Sequence, residues 1–133
     1  MSQPPGAKRV LAFDDDPIAL DIYRAILEPE GFEVVCAGDG KSGLDLFRRQ
    51  RFDCVLIDIY MRGLSGLDVI EQLDPEATKV PVIAVSGGGE GTGAHPLHLA
   101  ATLGAARSFS KDFEHGDLLK AVRELTGSWR REG

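Results

Sequence analysis

Asp14-Asp15-Asp16, Asp58, Ser86 and Ser110-Lys111 each stand immediately after a short apolar run, at residues 10–13, 54–57, 82–85 and the weaker 108–109. If those runs are neighbouring strands, acids from two of them, a hydroxyl from a third and a lysine from a fourth meet at one place. Carboxylates gathered there repel: at roughly 5 Å and an effective dielectric near 20, each ionised pair costs about 3 kcal/mol before screening. A hard divalent cation offsets that repulsion, and Mg2+ accepts a few carboxylates, a carbonyl, waters and a phosphoryl oxygen. Lys111 can neutralise further charge or contact a phosphoryl group. A metal beside one free carboxylate equips that carboxylate to attack phosphorus and become an aspartyl phosphate. Taken singly, these residues have plainer readings: a helix cap for Asp16, a turn for Asp58, a loop cap for Ser86 and a surface charge for Lys111. Their recurrence at four strand ends favours the chemical one.

The elements that must position them can be read from the hydrophobic pattern. Strands are predicted at 10–13, 33–37, 54–57, 82–85 and 108–109, the first, third and fourth buried on both faces. Helices with apolar residues three or four apart are predicted at 17–28, 40–51, 67–73, 95–103 and 114–129. In the last, Phe113, Leu118, Leu119, Val122 and Leu125 form one stripe, with Trp129 as an anchor and Arg130 and Arg131 suited to the helix dipole. Asp16 before Pro17 marks a helix start, and Gly31 and Gly104 mark helix ends. This alternation predicts an α/β fold around a parallel sheet, whose ligand site lies at the carboxyl edge.

Composition limits the function classes. The 133 residues suit one domain, and 43% hydrophobic with 27% charged residues is globular composition. A net charge of -6 gives no positive field for nucleic acid or anionic lipid. Cys36 and Cys54 lack metal-ligand or redox spacing and fit a reducing cytosol. The first residues lack a signal-peptide core, and no apolar stretch is long enough to span a membrane. The expectation is a cytoplasmic protein. His95, His98 and His115 match no phosphotransfer or metal pattern.

The stretches VLAFDDDP, FDCVLIDIYMRGLSGLDVI, VPVIAVSGG and GAARSFSKDF resemble the receiver domain of two-component response regulators, from Val10 to the last helix. The resemblance implies a doubly wound (βα)5 fold of the flavodoxin-like type, with strand order 2-1-3-4-5. It implies Asp58 as phosphoacceptor, Asp15 as a direct Mg2+ ligand, Asp14 holding the metal through water, and the Tyr60 carbonyl as backbone ligand. Ser86 and Lys111 would contact the phosphoryl group. The donor would be a sensor histidine kinase or a histidine phosphotransferase, and output would pass through protein contacts. The expected organisation is a flexible tail at 1–7 and a stand-alone, chemotaxis-regulator-like receiver at 8–131 with no output domain. Enzymatic turnover beyond self-catalysed transfer and autodephosphorylation is not expected.

Four features depart from the family's pattern. Arg62 and Asp112 stand where proline is usual, and the Lys111-Asp112 bond is expected to be trans. Ser108 replaces the usual aromatic switch, while Phe109 faces the core. The loop Gly87-Gly88-Gly89-Glu90-Gly91-Thr92-Gly93 is glycine-rich and expected to be mobile. It reads either as a loop ordered by the phosphoryl group through Ser86 or as a tolerated insertion. Tyr60 could shield the phosphoryl group from water. Two alternatives stay open: an aspartate-nucleophile phosphatase, for which the sequence supplies neither a cap nor an evident general acid, and a pseudo-receiver that binds partners without phosphorylation.

Overall fold

The computed structural model describes residues 6–87 and 96–127, with residues 96 and 97 described by their backbone alone. The expectations for the first five residues, for 88–95 and for Trp129, Arg130 and Arg131 lie outside the described residues. Five strands, β1 (Arg9–Phe13), β2 (Glu33–Ala37), β3 (Cys54–Asp58), β4 (Val82–Ser86) and β5 (Arg107–Ser110), form one parallel sheet in the order β2-β1-β3-β4-β5. Between and after them run α1 (Pro17–Leu27), α2 (Gly40–Arg49), α3 (Gly66–Leu73), the short α4 (Pro75–Thr78), α5 (Pro96–Thr102) and α6 (His115–Thr126).

The period-2 geometry of the strands divides the apolar side chains between two cores. Val10 and Ala12 of β1, Cys54 and Leu56 of β3, and Ile83 and Val85 of β4 pack with Tyr23 and Leu27 of α1 and Leu118 and Val122 of α6. Their neighbours Leu11, Phe13, Val55, Ile57, Val82 and Ala84 pack on the other side with Leu44 of α2, Val69, Ile70 and Leu73 of α3, and Ala100 of α5. Helices therefore cover both faces, as a doubly wound sheet requires. β1, β3 and β4 are buried almost throughout, as their continuous apolar runs predict.

Local chemistry sets the boundaries. Asp16 caps α1 by accepting from the Ile18 amide at 3.0 Å, ahead of Pro17. Asp39 and Ser65 cap α2 and α3 in the same way, two caps the hydrophobic pattern did not reveal. After α1 the chain tightens into a 3-10 turn over Glu28–Glu30 and exits through Gly31 at φ 96°. α4 was not predicted. It is bracketed by Asp74 and Lys79, two non-glycine residues in the left-handed region. Two interior glycines admit close packing: a Cβ on Gly43 would stand 2.1 Å from the Phe13 ring, and one on Gly66 would stand 2.3 Å from the Asp58 carbonyl oxygen.

The amino-terminal end of the sheet is fastened by Arg9. Its amide donates to Asp53 Oδ2 at 2.8 Å, and its guanidinium donates to the Arg51 carbonyl at 2.8 Å and to Gln50 at 2.8 Å. The same group pairs with Glu33 at 3.2 Å and lies 4.8 Å over the Phe52 ring. No helix among the described residues is long and apolar enough to cross a membrane.

Candidate functional site

The sheet ladder runs one rung past three of its strands, and those rungs carry the polar residues. Asp14 follows β1 with its amide donating to the Ala37 carbonyl at 3.1 Å, and Ile59 follows Asp58 with its amide donating to the Val85 carbonyl at 2.9 Å. The Lys111 amide donates to the Ser86 carbonyl at 3.0 Å. Side chains at these positions are thus held by backbone pairing rather than by mobile loop.

Asp14 is fully buried and Asp58 is 4% exposed. Asp14 Oδ1 accepts from the Asp16 amide at 2.9 Å, and Oδ2 lies 2.9 Å from Lys111 Nζ and 3.5 Å from the Tyr23 hydroxyl, which donates to it. Asp58 Oδ1 accepts from the Tyr60 amide at 3.1 Å, and Oδ2 lies 3.4 Å from Lys111 Nζ. Ser86 is buried and pairs in register with Ser110, beside Lys111. Asp15 is turned toward the β3–α3 loop, where its Oδ2 accepts from the Arg62 amide at 3.1 Å and from Arg62 Nε at 3.4 Å. Tyr60 is 46% exposed at the rim. Asp14, Asp15, Asp58 and Lys111 are therefore brought together; Asp16 is instead the α1 cap.

Burial first, and then the charge of Asp14, push the Asp58 carboxyl up to about 6, against the opposing pull of Lys111 and the Tyr60 amide. Burial alone would lower the Lys111 ammonium, but hydrogen bonds and charges from Asp14 and Asp58 outweigh it and leave it raised. Asp15 is lowered, chiefly by the Arg62 main-chain N–H. The Tyr23 hydroxyl is raised by its burial and then by Asp14, so it stays a neutral donor.

One carboxylate oxygen from each of Asp14, Asp15 and Asp58 can be taken so that all lie within 4.8 Å of one another. Three hard oxygen donors at that spacing, two of them buried and with one lysine to offset them, suit a small divalent cation. Among the described residues, no histidine or cysteine joins the group.

Sequence reasoning missed Gly66, Tyr23 and the partnership of Arg62 with Asp15. Gly66 carried a signal, since a glycine opening a helix soon after a strand often marks close backbone approach. Tyr23 reads from sequence only as an apolar position of α1. The departures noted in the sequence stand as follows: the Lys111-Asp112 bond is trans, Ser108 is exposed, and Phe109 packs against the α1/α6 core.

The described fold has counterparts among known proteins. The response regulator receiver domain family matches residues 10–123. The DNA-binding response regulator MtrA of Mycolicibacterium smegmatis is 31% identical over 116 residues, covering 87% of this chain and 49% of that protein. A CheY-like response regulator receiver domain protein from Methanospirillum hungatei superposes with a TM-score of 0.83 at 28% identity, over 92% of this chain and 96% of that one. The response regulator TrrA of Thermotoga maritima, solved in complex with Mg2+ and BeF, gives 0.77 at 27% identity over 89% and 98% of the two chains. The chain spans from a third to about two thirds of the length of the first curated relatives it matches. With the predicted strand order, a doubly covered sheet and an acidic carboxyl edge, the chain belongs to the response regulator receiver domain family.

Proposed function

We propose that this protein accepts a phosphoryl group on Asp58 from a phosphohistidine of a sensor kinase or histidine phosphotransferase, with Mg2+, and signals through protein contacts. The observation that carries the reading is the convergence of Asp14, Asp15 and Asp58 within 4.8 Å, with Lys111 bridging two of them. Mg2+, held by Asp15, Asp58 and the Tyr60 carbonyl with Asp14 acting through water, would offset charge on the transferring phosphoryl oxygens.

The chain's own residues do the rest. An ionised Asp58 oxygen attacks phosphorus in line with the scissile bond. The new O–P bond forms as the P–N bond breaks, and its electron pair stays on the donor imidazole, which takes a proton from solvent. Lys111 supplies a fixed positive charge beside the acceptor and Ser86 a hydroxyl for a phosphoryl oxygen. The Tyr60 amide orients Asp58 through Oδ1. Tyr60 itself, at the rim, shields the adduct from water.

The receiver occupies residues 8–131 in this reading. MtrA is named as a DNA-binding regulator; this chain, at net charge -6, is read as acting on proteins. Its two cysteines are free, which suits the cytoplasm.

Incubation with acetyl phosphate and Mg2+, followed by intact-protein mass spectrometry, tests the reading. The expected result is a single adduct of about 80 Da, one added phosphoryl group. It should be absent without Mg2+ and in Asp58→Asn. An unchanged mass in the wild type, or an adduct that survives in Asp58→Asn, overturns it.

A further inference from the structure

Arg62 has no counterpart in the chemistry set out above, yet its side chain reaches from the β3–α3 loop to Asp15, one of the three clustered acids. Its main-chain N–H and its Nε both point at one oxygen, Asp15 Oδ2, at 3.1 and 3.4 Å. The two residues are 47 apart in sequence. The Arg62 side chain is 91% exposed while that of Asp15 is 24% exposed, so the arginine lies over the acid from the solvent side.

We propose that Arg62 is a tethered cation that sets the metal affinity of this site, occupying the Asp15 carboxylate until Mg2+ displaces its guanidinium. The inference rests on the reading of Asp15 as a metal ligand. Two cations compete for one carboxylate, and the repulsion between a guanidinium and a dication is strongest where they share it. Because the arginine is solvated, its hold is modest and reversible rather than a block. The main-chain N–H has a separate part. It exists because residue 62 is not proline, and it fixes the Asp15 carboxylate in orientation whether or not the guanidinium is engaged. Arg62 thus acts on the metal in two opposite ways, the backbone positioning the ligand and the side chain contesting it.

Isothermal titration of Mg2+ into the full chain separates these parts. Arg62→Gln keeps the main-chain donor and removes the charge, and it is expected to bind Mg2+ about three- to fivefold more tightly at low salt. That gap should shrink as ionic strength rises. Arg62→Lys should stay close to the wild type. Arg62→Pro, which removes both donors, should lose part of the gain seen in Arg62→Gln. In the wild type, the Arg62 Nε–H resonance should move toward that of a free arginine as Mg2+ is added. Equal or weaker binding by Arg62→Gln, or an Nε–H signal that does not move while Mg2+ binds, overturns the proposal. Failure of both wild type and Arg62→Gln to bind Mg2+ instead overturns the metal reading of Asp15, and this inference with it.

Discussion

Lys111 Nζ stands closer to Asp14, at 2.9 Å, than to Asp58, at 3.4 Å. The lysine's shorter contact is to the fully buried acid rather than to Asp58, the proposed phosphoacceptor. Lys111→Met should leave two buried carboxylates facing each other with only neutral donors, lowering stability by about 1–3 kcal/mol at neutral pH. Urea denaturation without Mg2+ reads this directly. Adding Asp14→Asn to that variant should recover most of the loss, since the charge needing a partner is gone. Additive effects of the two changes would contradict the pairing.

The raised Asp58 carboxyl sets a pH dependence with a definite sign. In the native state it holds its proton up to about 6, whereas in the unfolded chain it releases it near the ordinary value of 3.8. The native state therefore binds more protons between those values, and stability falls as pH rises through that window. By pH 7 the whole penalty is present. Asp58→Asn should stabilise the metal-free protein at pH 7 by about 1–3 kcal/mol, the advantage vanishing toward pH 4. In the wild type, labelling by acetyl phosphate at low Mg2+ should decline below about pH 6, as the attacking oxygen becomes protonated.

Gly66→Ala should do damage out of proportion to one added methyl group, because Gly66 is buried against backbone. The new Cβ would meet the Asp58 carbonyl oxygen at 2.3 Å and Ile59 Cα at 2.6 Å, both backbone atoms that cannot step aside. A loss of about 1–3 kcal/mol is expected, with slower labelling even at equal folded fraction. Gly43→Ala, which drives a Cβ into the Phe13 ring, should destabilise comparably without slowing labelling of the folded molecules. Thermal melts paired with labelling time courses distinguish the two.

On β5, Phe109 packs against the α1/α6 core and lies edge-on to Phe113 at 6.1 Å, while Ser108 is exposed. Phe109→Ala should cost about 2–4 kcal/mol. Ser108→Ala should change neither stability nor labelling. A response to labelling that depends on Ser108 would show that this position reports the state of the site without a ring.

The strands, their order and the acids at their ends were legible because β1, β3 and β4 are buried on both faces and so are written as continuous apolar runs ending abruptly in Asp or Ser. β5 was the faintest, since only Phe109 among its four residues reaches the core. α4 escaped because four residues carry no helical period, and its existence depends on Asp74 and Lys79 adopting left-handed backbone, which their residue types do not announce. Arg62 was visible as a missing proline, but its bond to Asp15 joins loops distant in sequence and is made only once β1 and β3 lie side by side. The Tyr23 hydroxyl is nearer in sequence to its partner, but it meets Asp14 only once α1 folds back across the turn from β1.

The Arg9 staple gives the sheet a mechanical polarity. At one end, a single residue gathers Asp53 through its amide and Glu33, Gln50 and the Arg51 carbonyl through its guanidinium, in contacts that no ligand at the far edge touches. Roughly 16 Å along β1, a strand's length away, order depends instead on how three negative charges are shared among Lys111, Arg62 and whatever cation arrives. One end of the molecule is an anchor with fixed fittings. The other is a keyboard whose settings are charges, and the anchor is what allows those settings to change without the sheet coming loose.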